Sequence, residues 1–196
     1  LAEAEAVAEN NNTNAVKEAI TKKGPLTIGQ IFDVFDYVVR RIEYLNSSHP
    51  TEPRPAAVTL TAGVGDCKCM TVALASMLEA IGAKTILITG KAANSRYGHE
   101  FLAVMVSDEQ EDWKREMYRR AVENEIFRRY QIFITLNHRD DQHLQFVELE
   151  VAGGKQLYLL LDPTGGSQAV PGKAGIFEEM RYYEARPGIP GMMPGL

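Results

Sequence analysis

The stretch Gly63-Val64-Gly65-Asp66-Cys67-Lys68 leads directly into a run, from Cys69 to Gly82, in which most positions are apolar. A helix that is apolar on nearly all sides belongs in the interior of a domain. We therefore predict a central buried helix over residues 67–81, ended by Gly82. The glycines before it predict a flexible turn that would let a substrate's backbone approach, and they place Cys67 on the first turn of the helix.

Cys67 is the candidate nucleophile. The N-terminus of a helix favours the thiolate form of a cysteine, and its free N–H groups can receive the oxyanion of a tetrahedral intermediate. The alternative is that Cys67 is a small buried hydrophobe, as most free cysteines are. Cys69 would point to the other side of the helix, into the core.

The two cysteines predict neither a disulfide nor a metal site. Two residues apart on one helix, they lie about 200° apart around its axis, so they cannot easily bridge or share a metal with a histidine. We expect no cofactor and no metal. A reducing, cytoplasmic location is the default expectation, and a removed signal peptide or a particle-associated location stays open.

A thiolate nucleophile needs an imidazole within reach. Among the four histidines, His99 stands at the start of a strongly apolar strand, where a sheet can hold it rigidly. His49 precedes a proline, while His138 and His143 flank a polar stretch, so these three are expected at the surface. The alternative for His99 is a structural, hydrogen-bonded histidine.

Asp162 is the candidate for the carboxylate that orients the histidine. It closes the apolar run Leu159-Leu160-Leu161 and precedes Pro163. A carboxylate at the end of a buried strand is costly unless it is paired. The alternative is an aspartate that starts a turn before a proline.

Apolar periodicity and turn residues predict the other elements. Helices are expected from Asn14 to Lys23 and over 28–45, where Thr27 and Gln30 suggest a capping box. Strands are expected over 84–89, 100–106, 144–151 and 156–161, the last two as a hairpin across Gly153-Gly154, with a further strand possible over 131–136. Residues 46–58 indicate a loop, and the Gly/Pro/Met-rich tail from Pro187 is expected to be irregular.

Three local contexts together resemble a known family. Gly65-Asp66-Cys67-Lys68 at the start of an apolar helix, a strand that opens with His99, and Leu161-Asp162-Pro163-Thr164 occur in this order. They resemble the transglutaminase-like core, over about residues 28–106 and 144–165. The resemblance implies a papain-like α+β fold, in which a central cysteine helix packs on an antiparallel sheet that carries the histidine and the aspartate.

The resemblance also implies an activity. It points to a cysteine hydrolase or acyl-transferase that acts on amide bonds of peptides or proteins through a Cys67, His99 and Asp162 triad and a thioester acyl-enzyme. By the same resemblance, hydrolysis by a peptidase or amidase is favoured over crosslinking. The alternative is a non-catalytic binding or assembly module that keeps the fold.

Two departures from the family pattern concern the histidine. Glu100 follows it where many relatives have a small residue, and 63 positions separate His99 from Asp162. A charged insert, residues 107–143, accounts for this spacing. Its six acids and six bases between 109 and 130 predict a salt-bridged helix solvated independently of the core, either a lid or a surface decoration.

The predicted organisation is a helical extension over 1–25, a catalytic domain over 26–186 and an irregular tail over 187–196.

A net charge of -5 argues against nucleic acid as a partner, because phosphate binding requires a basic face. No apolar run approaches the roughly 18–20 residues that span a bilayer, so no membrane partner is expected. A peptide or protein substrate is expected, and the oligomeric state is left open.

Overall fold

The structure is a computed structural model that describes residues 26–46, 52–91, 98–131, 144–151, 153–174, 177 and 179–184. Several predictions fall outside these residues: the helix before residue 25, the possible strand after residue 131, the tail, and the surface positions of His49, His138 and His143. The division of the chain into an extension, a catalytic domain and a tail therefore stays a prediction.

The first described helix, α1, spans Ile28–Arg41. It begins where predicted because a capping box forms: the Gln30 N–H donates to the Thr27 hydroxyl at 3.2 Å, and the Thr27 N–H donates to the Gln30 side chain at 2.9 Å. Its apolar face is buried, with Ile31, Phe32, Val34, Phe35 and Val38 in the core. The predicted extension to residue 45 is wrong, because Glu43–Tyr44 form a short strand, β1.

A short helix that sequence analysis did not predict precedes Cys67. The predicted loop over 46–58 ends, in its described part, at helix α2, Ala56–Ala62. This helix has seven residues and fully buries only Thr59, so it shows no apolar periodicity. It ends at Gly63, whose φ of +68° lies in the left-handed region that glycine adopts without strain.

The central helix, α3, spans Cys67–Ala80 and confirms the prediction to within one residue. Half of its residues are buried: Cys69, Met70, Thr71, Ala73, Leu74, Ala75 and Leu78. It packs against α1, α2 and the sheet. The apolar character of this stretch therefore does place the helix in the interior of the domain.

Five antiparallel strands form one sheet in the order β5-β6-β4-β3-β7. They are β3 (Thr85–Lys91), β4 (His99–Ser107), β5 (Phe146–Val151), β6 (Gly154–Leu161) and β7 (Glu179–Glu184). The hairpin of β5 and β6 is confirmed by the pairing of Val151 with Gly154. The edge strand β7 was not predicted. The strand that carries His99 lies at the centre of the sheet.

The two faces of β4 belong to different apolar clusters. Leu102 and Val104 pack in the larger core together with α1 and α3, whereas Phe101 and Ala103 belong to a smaller cluster on the other face. This alternation follows from the two-residue period of a strand. Helices on one face of an antiparallel sheet confirm the predicted α+β class.

The charged insert contributes a long helix, α4, over Asp112–Tyr130. The prediction that it is solvated independently of the core is wrong. Val122 and Ile126 are fully buried in the same apolar core as α1 and α3. Arg129 also fastens the end of α4 to α1 through an ion pair with Asp33 at 2.7 Å.

Ion pairs and hydrogen bonds accommodate most of the charges of α4, although the buried Nε of Arg115 has no hydrogen-bond partner. One of them, Arg115, is buried, but its guanidinium donates to the carbonyls of Glu109 and Gln110 at 2.8 and 2.7 Å and pairs with Asp112. Arg119 pairs near the surface with Glu148 at 2.6 Å. None of the helices in the described part of the chain has the length and apolar character for crossing a membrane.

Candidate active site

Cys67 is the first residue of α3, so its thiol lies at the helix N-terminus as predicted. Asp66 caps this helix: its carboxylate accepts from the Cys69 N–H and its carbonyl from the Met70 N–H, both at 2.9 Å. These bonds fix the first turn around the sulfur. Cys67 is partly exposed, whereas Cys69 is buried, which confirms the different surroundings predicted for the two thiols.

The segment immediately before Cys67 is held in place by strand pairing, so the prediction of a flexible turn is wrong. Val64 and Gly65 form strand β2, which pairs in parallel with β1, and the Leu45 N–H donates to the Gly65 carbonyl at 2.9 Å. A side chain at Gly65 would lie 3.0 Å from Cys69 Cβ and 3.2 Å from Thr59 Cγ2. Gly65 therefore serves close packing behind the helix rather than the approach of a substrate.

His99 opens β4 and lies next to both other predicted residues. Its Nε2 atom lies 2.8 Å from Asp162 Oδ2, and the Cys67 side chain is near enough to raise the pKa of the ring. Because Nε2 is hydrogen-bonded to Asp162, Nδ1 is the ring nitrogen that remains for proton exchange with the Cys67 sulfur. The structure thus brings the three residues together, while their catalytic role stays a prediction.

Asp162 follows β6 directly and caps a 3₁₀ helix, Pro163–Gln168. Its Oδ1 atom accepts from the Thr164 N–H at 3.0 Å and from the Thr164 hydroxyl at 2.7 Å, while Oδ2 contacts His99. Both interpretations of Asp162 therefore apply, because one oxygen starts a turn and the other holds the ring. The Thr164 hydroxyl also lies 3.4 Å from His99 Nε2, a contact that sequence analysis missed.

A hydrogen bond also fixes the helix of Cys67 relative to the strand of His99. The Thr71 hydroxyl, one turn beyond Cys67 on α3, donates at 3.0 Å to the backbone carbonyl of Glu100. Thr71 is buried, so this bond is shielded from water. A threonine within an otherwise apolar helix is the signal in the sequence that could have indicated this bond.

The charges of the site favour a protonated histidine. Burial alone would lower the pKa of His99, but the hydrogen bonds and charges of Asp162 and Cys67 outweigh it and raise the pKa from 6.5 to about 9. Burial would likewise raise the pKa of Asp162, yet its bond to His99 lowers it. At neutral pH the imidazole therefore carries its second proton.

Glu100, which departs from the family pattern, does not face the imidazole. Strand alternation places its side chain on the opposite face of β4 from His99, towards the start of α3. Burial raises the pKa of Glu100, and the charge of Lys68 opposes this shift. The charge next to the base in sequence is therefore directed to the helix side of the sheet.

Two phenylalanines stack around His99. The ring centroid of Phe101 lies 5.9 Å from that of His99, and the centroid of Phe177 lies 5.8 Å from it at an interplanar angle of 13°. Phe101 follows the histidine by two positions and so shares its face of the strand. Phe177 is distant in sequence, and nothing in its surroundings predicted this contact.

Tyr44 in β1 lies near the candidate residues. Its strand partner is Gly65, two residues before the nucleophile. Burial and the nearby negative charges of Cys67, Asp66 and Asp162 raise its pKa, so its hydroxyl stays protonated and can donate a hydrogen bond. Sequence analysis found no side-chain donor here, because a two-residue strand leaves no pattern.

A cavity of about 190 Å³ adjoins the carboxylate side of the site. Asp162, Thr164 and Lys173 are among the residues that line it. Within the described residues, no group of three or more His, Cys, Asp and Glu side chains could hold a metal ion.

A cysteine at the start of a buried helix, with a histidine and an aspartate on adjacent strands of an antiparallel sheet, is the arrangement of papain-like cysteine enzymes. The family model of the transglutaminase-like superfamily matches residues 14–118. The chain belongs to this superfamily. The matched range includes Cys67 and His99 and ends before Asp162.

Comparison with solved structures gives a distant similarity. A protein from Cytophaga hutchinsonii, provisionally named as a cysteine protease, aligns with 12% sequence identity and a TM-score of 0.42. The alignment covers 89% of this chain and 47% of that protein, so the chain spans about half of its length. No curated protein matches the sequence.

Proposed function

We propose that the chain is a cysteine amidase or peptidase that cleaves amide bonds in peptides or proteins through a thioester acyl-enzyme. One observation carries the proposal: His99 is held by the Asp162 carboxylate at 2.8 Å and lies near Cys67, the first residue of α3. A cysteine that is only packed in the core needs no imidazole oriented by a buried carboxylate.

The mechanism starts from an ion pair. Because the pKa of His99 is raised to about 9, the imidazole holds a proton at pH 7. The attacking form of Cys67 is the thiolate, since the thiolate and not the thiol is the nucleophile. The sulfur attacks the amide carbonyl, and the C–N bond breaks as His99 gives its proton to the leaving amine. Neutral His99 then takes a proton from water, the hydroxide adds to the thioester, and collapse releases the acid and the thiolate.

Two donors are proposed for the oxyanion. The Cys67 N–H is at the start of α3, where the helix directs its first amides outwards. The amides of Cys69 and Met70 are already bonded to Asp66, so they do not serve this role. Tyr44 is the second proposed donor, since its protonated hydroxyl lies close to the charges of the site.

The proposed catalytic domain is residues 26–186, with the segment 107–143 as an insert that packs on its core. The substrate is a peptide or protein, and the cavity beside Asp162 and Lys173 offers room for one of its side chains. Hydrolysis is proposed over crosslinking by family resemblance. No cofactor enters the mechanism, and no nucleic acid is involved.

A peptide library with mass-spectrometric detection tests this function. Incubation should give cleaved or deamidated peptides and a covalent adduct on Cys67 that hydroxylamine removes. Addition of a primary amine separates hydrolysis from transfer, because a transferase would attach the amine to the peptide. The Cys67→Ala variant is the control. If the wild-type chain forms no adduct and changes no peptide, the chain is a binding or assembly module instead.

A further inference from the structure

Gly90 leaves a slot directly beside His99. The two residues are cross-strand partners in β3 and β4, so a side chain at position 90 would lie next to the imidazole on the same face. A Cβ at Gly90 would lie only 2.6 Å from Cγ and Cδ1 of Phe177, and 3.0 Å from Cε1 of Phe101. The ring of Phe177 therefore occupies the volume that any other residue at position 90 would fill.

The ring in this slot contacts both aromatic neighbours. Phe177 stacks on Phe101 with centroids 4.9 Å apart, and on His99 with centroids 5.8 Å apart and planes 13° from parallel. Phe177 lies two positions before the edge strand β7, whose first residue, Glu179, pairs with Lys91. The segment before this unpredicted strand therefore brings a second phenylalanine ring against the histidine.

We propose that Phe177 is a positioning residue that fixes the plane of the His99 ring, and that Gly90 is required to make room for it. The hydrogen bond that the Nε2–H of His99 donates to Asp162 sets a distance, but it leaves the ring able to tilt about that atom. A ring stacked on its face removes this freedom and keeps the second nitrogen directed at Cys67. This inference rests on the proposed roles of Cys67 and His99.

The first test is the rate at which iodoacetamide alkylates Cys67 at pH 7, followed by mass spectrometry of the intact protein. Phe177→Leu keeps an apolar side chain but loses the stacked ring, and should slow the reaction about fivefold. Phe177→Tyr keeps the ring and should restore the wild-type rate. The matched control is Phe146→Leu on β5, two strands from His99, which should react like wild type.

The second test is a double-mutant cycle with Gly90. Gly90→Ala alone should displace Phe177 and slow alkylation at least as much as Phe177→Ala does. In the Phe177→Ala background the slot is empty, so adding Gly90→Ala should have no further effect. Additive losses would show that Gly90 does not act through Phe177 and would overturn this part of the proposal.

A spectroscopic readout separates positioning from a general loss of stability. The Cε1–H of His99 should show a ring-current shift in NMR spectra of the wild type and of Phe177→Tyr, and this shift should become smaller in Phe177→Leu, where only Phe101 still stacks on the imidazole. An unchanged alkylation rate in a folded Phe177→Leu would overturn the positioning role and leave the proposed function intact. If wild-type Cys67 reacts no faster than cysteine in an unstructured peptide, the proposed function fails, and this inference fails with it.

Discussion

The hydrogen bond between His99 and Asp162 links the proton on His99 to the stability of the fold. Because the folded-state pKa of about 9 lies above the ordinary value of 6.5, protonation stabilises the fold fully below pH 6.5. This stabilisation is lost as the pH rises from 6.5 to 9. The free energy of unfolding of the wild type, relative to His99→Gln, should therefore fall by roughly 1–3 kcal/mol over this range.

Denaturant titrations at pH 6, 7.5 and 9 measure this difference. Asp162→Asn is the control, because it removes the carboxylate that raises the pKa of His99 and should flatten the dependence on pH. A difference between wild type and His99→Gln that stays constant from pH 6 to pH 9 contradicts the charge assignment.

The Tyr44 hydroxyl should stabilise the oxyanion and should not change the reactivity of the Cys67 thiol. Tyr44→Phe removes a donor from an exposed ring and leaves the Cys67 and His99 pair in place. We expect turnover of a peptide identified from the library to fall about 10- to 100-fold. Alkylation of Cys67 by iodoacetamide should keep its rate, because that reaction forms no oxyanion. An equal loss of peptide turnover and of alkylation rate would show that Tyr44 affects the reactivity of the Cys67 thiol instead.

Single residues also mark the limit of what the sequence could predict. Cys67, His99 and Asp162 each stand at the end of a strongly patterned element, so their positions followed from apolar runs. Thr71 and Thr164 serve the site through hydrogen bonds to a backbone carbonyl and a carboxylate, and such partners depend on tertiary placement. Gly65 was misread for the same reason, because its packing against Cys69 leaves no trace in local sequence.

Helix α4 shows how an element with a polar sequence can still belong to the core. Its charged residues dominate the sequence, but Val122 and Ile126, four positions apart, form a narrow apolar stripe that packs into the main cluster. The prediction of an independently solvated helix rested on its charged residues and left this apolar stripe out of account. Replacing residues 107–143 with a short linker would therefore expose core surface.

The mutation Ile126→Ala tests the contribution of this helix. Ile126 is 0% exposed, so the substitution should lower the free energy of unfolding by about 2–4 kcal/mol. The matched control is Met117→Ala on the same helix, where the side chain is 60% exposed and the change should stay within about 0.5 kcal/mol. Denaturant unfolding measures both. Equally small changes in the free energy of unfolding for both substitutions would show that α4 lies on the surface and does not contribute to the core.

Two elements escaped prediction because neither has a regular apolar pattern. Helix α2 follows a segment with three prolines and buries little, and strand β7, Glu-Met-Arg-Tyr-Tyr-Glu, lies at the edge of the sheet. An edge strand bonds on one side only, and its pairing with β3 is set by the tertiary fold. The long, strongly periodic elements, α1, α3 and the β5–β6 hairpin, were predicted nearly in full.

At the scale of the whole molecule, the candidate site combines one helix with three strands. The candidate nucleophile Cys67 comes from α3, the imidazole of His99 from β4, the carboxylate of Asp162 from the end of β6, and Phe177 from the segment before β7. The family match ends at residue 118, so Asp162 and Phe177 lie beyond it. Sequence order could predict the participants, but only the folded sheet determines their distances.

The alkylation rate of Cys67 by iodoacetamide at pH 6 tests the central claim most directly. At this pH an ordinary thiol is almost entirely protonated and reacts slowly, whereas a thiolate paired with His99 stays reactive. The account predicts that Cys67 reacts at least about tenfold faster than cysteine in an unstructured peptide, and that His99→Ala removes this advantage while the chain stays folded. A wild-type rate at or below that of the peptide, unchanged in His99→Ala, would contradict the assignment of Cys67 and His99 as a nucleophile and its base.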